Sequence, residues 1–213
     1  MASPGSLGGD IMSYKAVGLY NTDVVTEPVF LGRIGRQTLT EEQAAVLDAD
    51  GILDGATTST AATTITTFLS QPPYPRTITV IAANSTEAHV KLNATCTITG
   101  TNIDDVAISE VLTFDENQST AEETTKAFKT VTSIVFSAMD GAAKFDVGWG
   151  DKIGIPFMLP AAAADRPMVE ATLDGVIETT APILTADADE LEKNLIDLNS
   201  NLNGKEVCIY YWI

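Results

Sequence analysis

The stretch HVKLNATCTIT, residues 89–99, decides the fold class. Val90, Leu92, Ala94, Cys96 and Ile98 alternate in it with His89, Lys91, Asn93, Thr95, Thr97 and Thr99. A period of two sends successive side chains to opposite faces of a strand, so one face is expected to be buried and the other to form a polar, threonine-rich surface. Shorter runs of the same kind are TITVIA (77–82), VAISEVLTF (106–114), FKTVTSIVF (128–136), KIGIPF (152–157), MVEATL (168–173) and EVCIYYWI (206–213). Turn signals separate them: Gly100, Asp104-Asp105, Asp115 to Asn117, Asp140-Gly141 and the GWGD segment 148–151, read as a tight turn between two strands. Asp174-Gly175 has the two-residue form whose positive φ angles match the twist of a hairpin. With 28 threonines adding β-branched bias, the expectation is a mainly β chain, an antiparallel β-sandwich or barrel, with an extended N-terminal arm and one short helix.

The arm and helix come from the start of the chain. Residues 1–40 hold three acids (Asp10, Asp23, Glu27) and three bases (Lys15, Arg33, Arg36) and are Gly-rich and weakly periodic. They read as an extended arm that orders only against a partner. In LTEEQAAVLDADG, Thr40 and Gln43 have the spacing of a capping box and Gly51 can take a left-handed helix-ending position, which predicts a helix over 41–49. DGATTSTAATT, 54–64, is small and polar without an apolar period and reads as a linker. The expected division is therefore 1–64 as arm, helix and linker, and 65–213 as the β domain. In QPPYPR, Tyr74-Pro75 is a candidate cis bond. Near the end, Leu191, Leu195, Leu198 and Leu202 have helical spacing, while NLIDLN competes as a strand; both readings stand.

Composition bounds the partners. Twelve basic residues against 29 acidic ones give a net charge of −17 and a pI near 4.1. Nucleic acid is an unsuitable partner for such a chain, because binding phosphate needs a cationic surface. Charged residues make up 19% and hydrophobic ones 45%, so much of the surface is expected to be covered by neutral polar groups or by other protein. No apolar run approaches the ~18 residues that cross a bilayer, and MASPGSLGGD lacks the basic and apolar regions of a signal peptide. An intracellular or particle-borne protein without a membrane partner is expected. Cys96 and Cys208 lack CxxC spacing and read as buried, reduced thiols.

The residues offer little for catalysis. A serine or cysteine nucleophile needs a base, and the single histidine, His89, falls on the polar side of the alternation beside Lys91. One His and two distant Cys fall short of a zinc site, and no HExxH is present. The acidic stretches DADGILDG (48–55) and DADADELE (185–192) fail the calcium-loop pattern: counted from Asp48, position 6 is Leu53 and position 12 is Ser59; counted from Asp187, they are Glu192 and Leu198. GWGD lacks the Lys-Ser/Thr of a phosphate loop. No catalytic residue, no cofactor and no metal is expected, and the chain is not expected to be an enzyme. Tyr210 and Trp212 share one side of the last run, opposite Val207, Ile209, Tyr211 and Ile213. Both sides being apolar, burial between sheets or against another subunit is the expectation.

Several stretches, PPYPRTITVI (72–81), TCTITGTNIDDVAISEVLTF (95–114), TKAFKTVTSIVF (125–136), FDVGWGDKIGIPF (145–157), EATLDGVIETTAPILT (170–185) and DLNSNLNGKEVCIYYWI (197–213), cover most of 65–213. Together they resemble tailed-bacteriophage virion proteins that decorate the head. Residues 1–60 lie outside the resemblance, and SAMDGAAK (137–144) departs from it. It implies a structural β-sandwich or barrel module that binds the outer surface of the phage head, with the major capsid protein as partner, a homo-oligomer with a trimer favoured, and no catalytic residues. Phosphate packed inside a head would repel a −17 chain, which suits the outside. Arg33 and Arg36 in the neutral arm are the expected capsid contacts. The alternative from a different class is a host- or glycan-binding module of a head fibre or tail-associated adhesin; the repeats or stalk of a fibre are not in the sequence.

Overall fold

The structure, a computed structural model, describes residues 34–159 and 170–212. They belong to a compact unit spanning Arg33–Ile213. Its strands are β1 (Ile34–Leu39), β2 (Asp48–Thr57), β3 (Thr63–Ile65), β4 (Arg76–Ala82), β5 (Thr95–Thr101), β6 (Ala107–Thr113), β7 (Glu122–Glu123), β8 (Thr130–Phe136), β9 (Lys144–Gly154), β10 (Glu170–Leu173), β11 (Val176–Ile177), β12 (Ile183–Thr185), β13 (Leu195–Asp197) and β14 (Val207–Trp212). Every pairing is antiparallel. Three sheets result: A, in the order β1-β14-β10-β11; B, β12-β13-β9-β4-β7 with β2 also on β9; and C, β3-β8-β5-β6. The mainly β, antiparallel expectation holds, in the form of packed sheets with a curled half-barrel.

Alternation explains which faces are covered. In β5, Cys96, Ile98 and Gly100 are buried while Thr95, Thr97, Thr99 and Thr101 are not. Cys96 and Ile98 join Ile108 and Leu112 of β6, Ile134 and Phe136 of β8, Ile78 and Val80 of β4, and Phe145, Val147 and Trp149 of β9 in one core. Phe136 stacks on Phe145 with ring centroids 4.6 Å apart. A second core gathers Leu39, Ile153, Ile155, Ala171, Ile196, Leu198, Leu202, Val207 and Ile209. Strand β9 serves both, giving Phe145, Val147 and Trp149 to the first and Ile153 to the second. Where the cores meet, Arg76 is fully buried, its Nη2 donating to the Ala45 carbonyl at 2.6 Å and its Nη1 to Gly150 O at 3.4 Å.

Several elements differ from the sequence expectation, each for a physical reason. The 41–49 helix does not form beyond one turn. Its capping box is present, with Thr40 N–H donating to Gln43 Oε1 at 3.0 Å and Gln43 N–H to Thr40 Oγ1 at 3.3 Å. The next turn is pre-empted because the carbonyls of Gln43 and Ala45 accept from Arg76 and that of Val46 accepts from Trp149 Nε1. Gly51 ends no helix: it lies in β2, where a Cβ would fall 2.5 Å from the Trp149 ring. The 54–64 linker is mostly strand, DGAT completing β2 and Thr63 and Thr64 opening β3. Residues 34–64 therefore contribute three strands to the sheets.

GWGD is no turn. It sits in the middle of the 11-residue β9, and its glycines make room for neighbours: a Cβ on Gly148 would lie 1.7 Å from the Asp48 carbonyl oxygen, one on Gly150 2.6 Å from the Glu123 carboxylate. The alternating run at 89–99 becomes strand only from Thr95, after a 3₁₀ turn at Asn84–His89; Leu92 is 53% exposed and Asn93 takes a left-handed φ of 56°. The open 191–202 segment resolves as a 3₁₀ turn at Leu191–Lys193 followed by β13. Tyr74-Pro75 is trans. The Asp174-Gly175 hairpin forms as expected, with φ of 54° and 72° and Leu173 paired to Val176. The arm proper, with Arg33, lies outside the described residues, as do Met168, Val169 and Ile213 at the ends of two expected strands.

Candidate functional site

Of the two arginines expected at a capsid contact, Arg36 is described, and it lies on the exposed side of β1. Gly35 is buried and Gln37 and Leu39 point into the body; Arg36 and Thr38 point out, opposite Tyr210 and Cys208 of β14. The Arg36 Nε donates to Cys208 Sγ at 3.3 Å, and its guanidinium carbon lies 5.8 Å from the Tyr210 ring centroid. Thr38 Oγ1 lies 3.8 Å from the same sulfur. Burial alone would raise the Cys208 pKa, but hydrogen bonds from Arg36, Tyr210 and Thr38 outweigh it and leave the thiol below its ordinary value. Cys96 differs: burial in the first core drives its pKa far up. Both thiols are free and buried, yet only Cys208 has a cation on it.

The other candidates are dispersed. His89 ends the 3₁₀ turn, exposed, with its ring over Gly141 and its carbonyl accepting from Asp140 N–H at 3.0 Å. It is thus on a turn and not on a strand face. In DADGILDG the Asp48 carboxylate serves the chain itself, its Oδ1 accepting from Asp50 N–H at 3.3 Å. DADADELE wraps around a fully buried side chain, Asn194, whose Nδ2 donates to the carbonyls of Asp187, Glu190 and Leu191 and whose Oδ1 accepts from Asp187 N–H at 2.9 Å. Asp187 Oδ1 accepts two backbone N–H groups at 2.8 Å, from Asp189 and Glu190, which hold its pKa below the usual carboxylate range. That loop is a structural turn with its own side-chain centre. Among the described residues, no three His, Cys, Asp or Glu side chains converge in a metal-binding group, and no helix is long and apolar enough to cross a membrane.

The surface feature that alternation set up most clearly is the outer side of sheet C. Thr95, Thr97 and Thr99 of β5, Ser109 and Val111 of β6 and Val135 of β8 lie side by side on it, with Thr97 directly across from both Val111 and Val135. No outward position of β5, β6 or β8 carries a charge. Two aromatic rings are withdrawn: Trp149 is 7% exposed with its Nε1 bonded, and Tyr74 is half-buried with its hydroxyl accepting from Gln37 Nε2 at 3.2 Å. Fold and surface define an acidic antiparallel β module built around packing, with Arg76 buried in it and most other ionisable groups at loops and surface. Comparison with protein-family models, with curated proteins and with solved structures finds no match.

Proposed function

We propose that this chain is a structural virion protein that decorates and stabilises the outside of a tailed-phage head, held to the major capsid protein through its N-terminal end. The observation that carries the reading is the division of charge along a fold of this kind. The first 40 residues are neutral and end in β1, an edge strand of sheet A, whereas everything after them carries the full −17. A charge-neutral end can lie on a protein shell while the acidic body stays in water, repelled by the phosphate inside. The resemblance of six stretches to head-decorating proteins points the same way.

The structure also fixes how the test must be cut. Removing residues 1–40 would delete β1 with the fully buried Leu39, so the deletion stops at Arg33. The chain beginning at Ile34 is expected to keep its β circular-dichroism spectrum and to lose co-sedimentation with undecorated heads. Retained binding by that truncation would place the anchor on the β body and overturn the arm as the contact. Failure of the full chain to bind any undecorated head would overturn the decoration reading.

A further inference from the structure

We infer that Lys126 and Asn102 join through an amide bond between their side chains, with Glu192 carrying the protons. Asn102 is the residue after β5, Lys126 lies between β7 and β8, and Glu192 sits in the 3₁₀ turn Leu191–Lys193 before β13. Backbone bonds clamp the three segments together: Lys129 N–H donates to the Thr101 carbonyl and Ala127 N–H to the Glu192 carbonyl, both at 2.8 Å. One carboxylate then holds both reacting groups, Glu192 Oε1 accepting from Lys126 Nζ at 3.2 Å and Oε2 from Asn102 Nδ2 at 3.3 Å. Asn102 Oδ1 accepts from the N–H groups of Asp104 and Val106 at 3.0 and 3.1 Å. An amine, a proton acceptor and an acyl carbon whose oxygen already faces two donors are therefore in one place.

The chemistry needs no outside reagent. Glu192 takes a proton from the Lys126 ammonium, and the freed lone pair forms the Nζ–Cγ bond with Asn102. The C=O pair moves onto Oδ1, where the two N–H groups stabilise it. Collapse restores the carbonyl and breaks the Cγ–Nδ2 bond, the nitrogen leaving as ammonium with the two protons that Nζ lost. Glu192 ends as it began. Water is largely kept out, since Asn102 is 4% exposed and the side chains of Glu192 and Lys126 are 10% and 18% exposed. The product keeps the existing bonds, its carbonyl on Asp104 and Val106 and its remaining N–H on Glu192. Glu190 opposes the reaction: its Oε2 lies 2.9 Å from Lys126 Nζ and also pairs with Lys193. Burial alone would lower the Lys126 pKa, but hydrogen bonds to Glu190 and Glu192 outweigh it and raise it, so the amine is mostly charged and the bond forms slowly. The bond does not rest on the capsid reading.

Mass spectrometry of the full chain tests it. After about a week at pH ~8, where the free amine is better populated, the chain should be about 17 Da lighter, the mass of ammonia. No Lys or Arg lies between Lys91 and Lys126, so trypsin releases 92–126 from an unlinked chain. An amidated Lys126 resists trypsin, and the linked chain should give 92–129 instead. A succinimide at Asn203-Gly204 sheds the same mass, but from the peptide 194–205. Lys126→Arg keeps a cation for both carboxylates and should hold its full mass over 92–126, while Glu192→Gln should slow linkage about tenfold or more. A parent that still gives only unlinked 92–126 after the incubation overturns the inference. So does loss of ammonia from 92–126 of Lys126→Arg at the parent's rate, or linkage in Glu192→Gln as fast as in the parent.

Discussion

Gly148 and Gly55 separate two reasons for a glycine, and substituting each measures how closely β2 lies over β9. Gly148 has ordinary backbone angles but no space: an added Cβ would sit 1.7 Å from the Asp48 oxygen and 2.6 Å from the Ala49 carbonyl carbon. Ordinary contact begins near 3.4 Å, so backbone must move by about 1.5 Å, and β2 has no flexible side chain there to yield. Gly148→Ala combines overpacking, about 1–3 kcal/mol, with strained β2–β9 hydrogen bonds worth about 1 kcal/mol each, for an expected loss of about 3–4 kcal/mol. Gly55 is the reverse case, with φ of +59° and nothing within 4 Å of the added atom. There Ala meets only the left-handed penalty, about 1–2 kcal/mol, and Asn should recover most of it. Urea titration of the full chain gives both values, and the Gly148→Ala melt should fall by roughly 6–16 °C. If Gly148→Ala lies within about 0.5 kcal/mol of the parent, or costs less than Gly55→Ala, β2 does not lie over β9 as described.

Arg76→Ala should cost about 3–5 kcal/mol by urea titration, because it opens a cavity and strips donors from the Ala45 and Gly150 carbonyls; a loss under about 1 kcal/mol would contradict its place at the junction of the cores. Asn194→Ala removes the centre of the 187–194 loop and should speed hydrogen exchange at the Asp187 amide by tenfold or more, whereas unchanged exchange would mean the loop stands without it. Burial raises the pKa of Asp151 despite the nearby Arg76, so the folded chain holds that proton more tightly than the unfolded one. Its contribution is then present at low pH and lost as pH rises past the usual carboxylate range, and the stability of Asp151→Asn relative to the parent should improve between pH ~4 and ~7. A pH-independent difference would refute that. In the native protein a small thiol reagent should modify Cys208 before Cys96, and Arg36→Gln should slow the reaction at Cys208; equal rates at both thiols would contradict the Arg36 contact.

What the sequence disclosed and what it hid divide along a physical line. Period-two alternation marked β4, β6, β8 and β14 with bounds within two residues of those observed, because side-chain polarity there reports directly on which face is covered. The Asp174-Gly175 hairpin was legible because a two-residue turn is a local matter. The errors fall where a distant part of the chain decides. Thr40 and Gln43 make the bonds of a helix start, yet Arg76 and Trp149, remote in sequence, take the carbonyls the helix would have used. GWGD carries the letters of a turn, but Gly148 is small because β2 passes over it. For the candidate surfaces, alternation alone indicated the threonine face of sheet C. The setting of Cys208 was hidden, since its partner Arg36 comes from β1, a strand read as arm.

A cryo-microscopic reconstruction of the particle carrying this protein tests most directly the proposed placement, an acidic β body on the outside of a head with its N-terminal end toward the shell. All-β density repeated on the outer surface of the head lattice is expected, with β1 the strand of sheet A nearest the shell. Density for the chain on the tail, or within the head against the packed genome, would contradict it.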